Sequence, residues 1–293
     1  MNTLPAPVDL AETVARLAAS VVGLATHRHK SSGVLWRAGV VVGSASTLWR
    51  VPSVAVVLPD GEQVPGEVRG VDARTDLAAV TFTSGSLPVA ERAVAAQPRV
   101  GDFVFAVGRE PSGLTQASFG HVGMAGGQWR TWRGGSVERL IRLDGGLYPG
   151  LDGAPVADAT GQVLGVASSA FSRRHAVVLP VATVELVLDQ LLAHGRVQHG
   201  YLGIAVQPAR AMLDGVPVQG LLVSSLAEDG PAARGGLLVG DVIVKLGGEA
   251  VSSLDALRDL LQVGTRAIVA VVRGGQGQEL ALDVAERPRS RCS

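Results

Sequence analysis

Two hydrophobic periods alternate along this chain, and their changes mark its elements. Behind Asp9 and Glu12, spaced as in a capping box, Leu10, Val14 and Leu17 share one face and predict a short opening helix. The pattern then turns to period two. Val54, Val56 and Leu58 alternate before the turn signal Pro59-Asp60-Gly61, and a second run follows at Val64 to Val68. Leu77 to Phe82, Val100 to Val107 and Val163 to Ala167 read as further strands. Many short strands at close spacing predict a barrel or sandwich over the first two-thirds. Helical spacing returns at Val184, Val187, Leu188, Leu191 and Leu192, with Gly195 placed to end the helix. From Gly200 a smaller unit opens with strands, holds a helical stretch near Leu254 to Leu261, and closes with strands, so the boundary is expected near Arg196 to Gly200.

Composition narrows the possible functions. With 293 residues, 47% hydrophobic and 18% charged, the chain has material for two packed cores and no signature of long disorder. Its 38 glycines and 15 prolines are scattered, as turns between short strands require. The 26 basic and 26 acidic side chains cancel, which is not the footprint of a nucleic-acid binder. No apolar stretch suffices to span a bilayer. Leu17 to Ala25 is apolar but follows Asp9 and Glu12 without a basic lead, which argues against a signal peptide. Together with one cysteine, Cys292, this gives an expectation of a cytoplasmic chain.

The second unit carries Gly200-Tyr201-Leu202-Gly203-Ile204, then Gly230-Pro231-Ala232-Ala233-Arg234-Gly235-Gly236-Leu237, then Val239-Gly240-Asp241-Val242-Ile243. These segments, in this order, resemble the PDZ domain of HtrA-type proteases. The resemblance implies capture of peptide C-termini by strand addition, with a loop of backbone amides receiving the carboxylate. Tyr201, Leu202, Gly203 and Ile204 would form that loop. Ile204 and Val206 would face a groove walled by Leu254, Leu257 and Leu261, although that spacing equally fits core leucines.

Upstream, LLAHGRVQHGYLGI (Leu191 to Ile204) resembles the family's helix-to-PDZ junction, and VDARTDL (Val71 to Leu77) its catalytic-aspartate segment, which places that aspartate at Asp76. DGGLYPGLDGAP (Asp144 to Pro155) matches its nucleophile loop without a gap. The implied fold is mainly β, a trypsin-like double β-barrel followed by a small α+β PDZ domain. The expected divisions are an opening helix and lead-in strand over 1–30, a trypsin-like domain over 31–195, the PDZ domain over 200–287 and a basic tail over 288–293.

Hydrolysis on that fold needs a serine, a histidine and an aspartate in one hydrogen-bonded chain. Here Asp152 stands at the serine position and Ser46 at the histidine position, with no histidine between His29 and His121. Losing one such member costs on the order of 10⁴ to 10⁶ in turnover. A carboxylate at Asp152 also puts negative charge where the oxyanion would develop. The expectation is a pseudoprotease: Asp76 is a structural carboxylate, and the amides of Gly150 to Gly153 close on Asp152. The alternatives are an active endopeptidase using another serine, Ser168 or Ser169, and a structural subunit whose PDZ groove is filled by its own chain. Expected partners are peptide C-termini, unfolded proteins or an active relative, with trimerisation carried over from the family. No cofactor, metal or nucleic acid is expected. His27 and His29 could share one strand face but lack a third ligand nearby.

Overall fold

The computed structural model describes residues 9–27, 29–83, 85, 87–94, 96–172 and 174–286. The basic tail and Cys292 lie outside them. The chain divides into two compact units, Met1–Val197 and Gln198–Ser293.

The first unit opens with α1 (Leu10–Ala18), whose N-cap Asp9 accepts hydrogen bonds from the amides of Ala11 and Glu12. Six strands follow: β1 (Val21–Ala25), β2 (Lys30–Arg37), β3 (Val40–Ser44), β4 (Ser53–Val57), β5 (Gln63–Asp72) and β6 (Leu77–Thr81). They close into a barrel in the order β1-β2-β3-β6-β5-β4, with the short α2 (Ala45–Leu48) between β3 and β4. Closure leaves no strand edge in this barrel. A second barrel is built from β7 (Phe103–Arg109), β8 (Thr115–Ala125), β11 (Ile141–Leu143), β12 (Pro155–Asp158), β13 (Val163–Ser168) and β14 (Val177–Pro180). A small hairpin, β9 (Trp129–Arg130) with β10 (Ser136–Val137), interrupts it. The helix α3 (Val181–His194) then ends at Gly195, which takes φ 70 as a left-handed cap.

Each barrel has its own apolar interior, and a third cluster draws on both barrels together with Leu17 of α1 and Val184 and Leu188 of α3. Trp36 lies wholly inside that shared core. Its indole N–H donates to Glu185 at 2.9 Å. The strand expected from Val100 begins only at Phe103, because Gly101 takes φ 94 in a turn that β structure cannot continue. His27 and His29 sit in the turn between β1 and β2 and do not alternate along a strand as the sequence suggested.

The second unit contains β15 (Gly200–Tyr201), β16 (Ile204–Leu213), β17 (Val216–Leu226), α4 (Pro231–Arg234), β18 (Val242–Leu246), β19 (Glu249–Ala250), α5 (Leu254–Leu260), β20 (Arg266–Arg273), β21 (Gln276–Asp283) and β22 (Ala285–Glu286). Its main sheet runs β16-β17-β18-β20-β21, which leaves β16 at an edge. Leu261 falls just past α5 in extended conformation, so it is not the helical residue the periodicity implied. The whole chain is mainly β, and among the described residues no helix is long and apolar enough to cross a membrane.

Candidate functional site

Asp76 sits immediately before β6 with φ 59, a left-handed backbone that an aspartate tolerates better than most residues. It is 1% exposed. Its carbonyl accepts the Ala45 amide at 3.0 Å and its Oδ1 accepts the Ser46 amide at 2.7 Å. Both donors are first-turn amides of α2, whose own N-cap, Ser44, makes no side-chain cap. Asp76 therefore caps that helix from a distant part of the chain. Its Oδ2 also accepts the hydroxyls of Ser168 at 2.6 Å and Ser44 at 3.0 Å. Burial pushes the Asp76 carboxyl up, and the hydrogen bonds from Ser168, Ser46 and Ser44 offset this only in part. Ser46, at the expected histidine position, turns its hydroxyl to Ser44 at 2.8 Å.

The loop at 149–153 is tied to β2 and to the segment around the end of β13. The Ser32 hydroxyl donates to the Gly150 carbonyl at 2.7 Å while accepting the Arg109 amide at 3.0 Å. The Ser32 amide donates to the Asp152 carbonyl at 3.1 Å, and the Gly153 amide donates to Ala167 at 2.9 Å. Gly153 has φ 82, and a Cβ there would stand 2.4 Å from the Ser32 carbonyl oxygen, so glycine is required. The Asp152 carboxylate accepts the Ser169 amide at 2.8 Å and its hydroxyl at 2.7 Å. This corrects the sequence expectation that the loop's own amides would close on Asp152. The Leu151 and Gly153 amides already have carbonyl partners, and the donor comes from the segment leaving β13. Ser168 and Ser169 are consecutive, so their side chains point to opposite sides and each serves one carboxylate. Among the described residues no imidazole bonds Asp76 or Asp152. Sequence reasoning named both serines only as substitute nucleophiles. Their work as donors carries no sequence signal beyond residue type.

In the second unit, the segment 201–204 is anchored through its carbonyls. Ala232 donates its amide to Leu202 O at 2.9 Å, and Ala227 donates to Gly203 O at 2.8 Å. A trans peptide sets its N–H opposite its C=O, so the amides of Gly203 and Ile204 are aimed away from those anchors. Gly203 has φ 76, with Gly230 Cα 3.0 Å from where a Cβ would be. The Leu202 and Leu257 side chains are each 2% exposed in the core, so Leu257 is a core residue and no groove wall. Ile204, Val206 and Leu261 are half-buried against that core. Leu254 is 38% exposed, and Gly200 lies so close to Leu261 that a Cβ would stand 2.5 Å from Leu261 Cβ. Sequence reasoning missed the partner of Asp241. Arg273 grips it bidentately at 2.7 Å per bond, and the Leu238 amide adds a third donor at 2.8 Å. Burial alone would push the Asp241 carboxyl up, but the Arg273 hydrogen bonds and charge together with the Leu238 amide hold it below the usual carboxylate range.

Comparison with known proteins agrees with both units. A trypsin-like peptidase domain model matches residues 31–166 and a PDZ domain model matches residues 222–273. The chain is HtrA/DegP-like. A probable periplasmic serine endoprotease DegP-like from Chlamydia trachomatis is 32% identical over 263 residues, covering 85% of this chain and 52% of that protein. The protein of the same name from Brucella suis is 31% identical over 277 residues, covering 89% of this chain and 53% of its own length. This HtrA/DegP-like chain thus spans about half the length of the curated relatives it matches. Among solved structures, the HtrA-type protease AlgW with tripeptide superposes with TM-score 0.79 at 26% identity, covering 97% of this chain and 99% of that one. The serine endoprotease from Yersinia pestis gives TM-score 0.78 at 24% identity over 96% and 99% of the two chains, a likeness of fold. These relatives overturn the cytoplasmic expectation, because they are named periplasmic, and they point to the periplasm instead. A lone cysteine suits either compartment, since neither requires a disulfide.

Proposed function

We propose that this chain is a non-proteolytic HtrA-type protein that binds peptide C-termini through its PDZ unit. The observation that carries the reading is the pairing of Asp76 and Asp152 with serine and backbone donors only. Without an imidazole there is no group to take a proton from an attacking hydroxyl. The second unit supplies what strand addition needs. The edge strand β16 begins where the amides of Gly203 and Ile204 face outward, with the exposed Leu254 on the first turn of α5, a helix in contact with β16. In this reading the roles of Tyr201 and Leu202 are backbone ones, and Ile204 and Val206 contribute apolar surface to the groove.

The test compares hydrophobic peptides bearing a free C-terminal carboxylate with the same peptides amidated. Binding of the full chain to the free acids alone supports the reading, and equal binding of both overturns it. A second reading, an active endopeptidase, draws on the relatives' names as serine endoproteases. Covalent labelling by a serine-directed fluorophosphonate would establish it in place of the first. The partner is then a protein with an exposed C-terminus, an unfolded chain or an active relative, and self-association in threes is the oligomer to look for by mass measurement.

A further inference from the structure

The turn between β1 and β2 and the segment following α2 border a groove of about 1160 Å³ on the first barrel. His27, His29, Trp49, Arg50 and Gln63 line it over a floor of valine, alanine and proline, and it extends to Ser46. Among the described residues that line it there is no aspartate or glutamate, and Arg50 is the one permanent charge. Among the described residues the Arg50 guanidinium and the imidazoles of His27 and His29 have no hydrogen-bond or ion-pair partner. Trp49 is 51% exposed, an unusual amount of aromatic surface to leave in water. Arg50 has φ 61, a strained backbone for a long side chain at a turn where glycine would fit without cost. Arg50 follows the C-cap of α2, where the left-handed turn ends the helix and leaves Trp49 and Arg50 on the rim of the groove.

We propose that this groove docks an acidic peptide segment, an extended stretch carrying Asp or Glu next to an aromatic or apolar residue. A guanidinium without a partner, in a groove without carboxylates, is complementary to a carboxylate, which it can grip through two parallel bonds. The exposed Trp49 face offers the stacking surface typical of residues that dominate binding energy. The volume exceeds the roughly 300–1,000 Å³ usual for one small molecule, so several side chains fit. The chain's zero net charge argues against a nucleic acid, which needs a broad basic surface. The site is independent of the PDZ reading, because the peptide is held by its side chains and not by its terminus.

The test is fluorescence anisotropy of a labelled peptide with alternating Glu and Phe, acetylated and C-terminally amidated so that it offers the PDZ loop no carboxylate. Saturable binding to the full chain is expected, weakened at least about tenfold by Arg50→Gly or Trp49→Ala. Arg50→Gly keeps the φ of 61 without strain, so lost binding reports the guanidinium and not the fold. An excess of a neutral free-acid peptide should leave the complex intact. The proposal fails if Arg50→Gly binds as tightly as the unmodified chain, if the Gln-for-Glu peptide binds equally well, or if a short oligonucleotide displaces the peptide.

Discussion

Asp76 and Asp152 in the first unit contrast with the Tyr201 to Ile204 loop in the second. At the former, both carboxylates are met by the protein's own donors: the Ser46 amide and serine hydroxyls on Asp76, Ser169 on Asp152, while Ser32 meets the Gly150 carbonyl. At the latter, the carbonyls are satisfied inward while two amides are turned out beside an open strand edge. A self-satisfied polar cluster specifies a fold, whereas a cluster left one partner short invites a ligand. In the proposed reading, the Asp76 and Asp152 cluster serves as framework and binding falls to the PDZ unit.

The largest effect expected concerns proteolysis. Asp152→Ser alone should gain no fluorophosphonate labelling, because Ser46 supplies no base, and activity should stay on the order of 10⁴-fold or more below that of an intact triad. Labelling of that variant would break the contrast. Next, Asp76→Ala should lower stability by about 2–4 kcal/mol, read as a urea midpoint, since it strands two buried hydroxyls and a helix-start amide and leaves alanine at φ 59. Asp76→Asn should cost distinctly less, because asparagine accepts both the backbone and part of the bonding. Gly203→Val should weaken free-acid peptide binding by about tenfold, or 1.4 kcal/mol, with little change in the first unit. Unchanged affinity would remove the loop from the site.

The smallest effect is a difference of sign in pH dependence. Asp241 is held below its ordinary range, so its contribution is present above about pH 4 and is lost as pH falls through its lower folded pKa. Asp76 is raised, so its contribution is fully present below about pH 4 and is lost as pH rises through its folded pKa. Asp241→Asn should therefore remove a loss of stability that sets in as pH falls, while Asp76→Asn should remove a loss that sets in as pH rises toward neutral. Titration of thermal midpoints for the two variants distinguishes them, and slopes of one sign would refute the opposed environments.

Much of the fold could be read from local pattern. The alternation at Val54 to Leu58, the Gly195 stop and the Gly200 to Ile204 segment each rest on neighbours within a few residues, which periodicity reports directly. The expected histidine and serine positions rest on a gap-free loop match and on the lack of any histidine between His29 and His121, neither of which needs coordinates. Errors arose where distant packing decides. Leu254, Leu257 and Leu261 have helical spacing, yet one is exposed, one is core and one lies past the helix end. Periodicity assigns a face without saying what covers it.

By itself the sequence determined the two-unit β architecture and the PDZ segments, and it carries no histidine between His29 and His121. Only the tertiary structure decided what the two aspartates do in their place. Ser168 reaches Asp76 across 92 residues of sequence, Ser169 reaches Asp152 across 17, and Arg273 reaches Asp241 across 32. A hydrogen bond needs its atoms within about 3 Å, and no local period encodes a partner brought that close by barrel closure or sheet pairing.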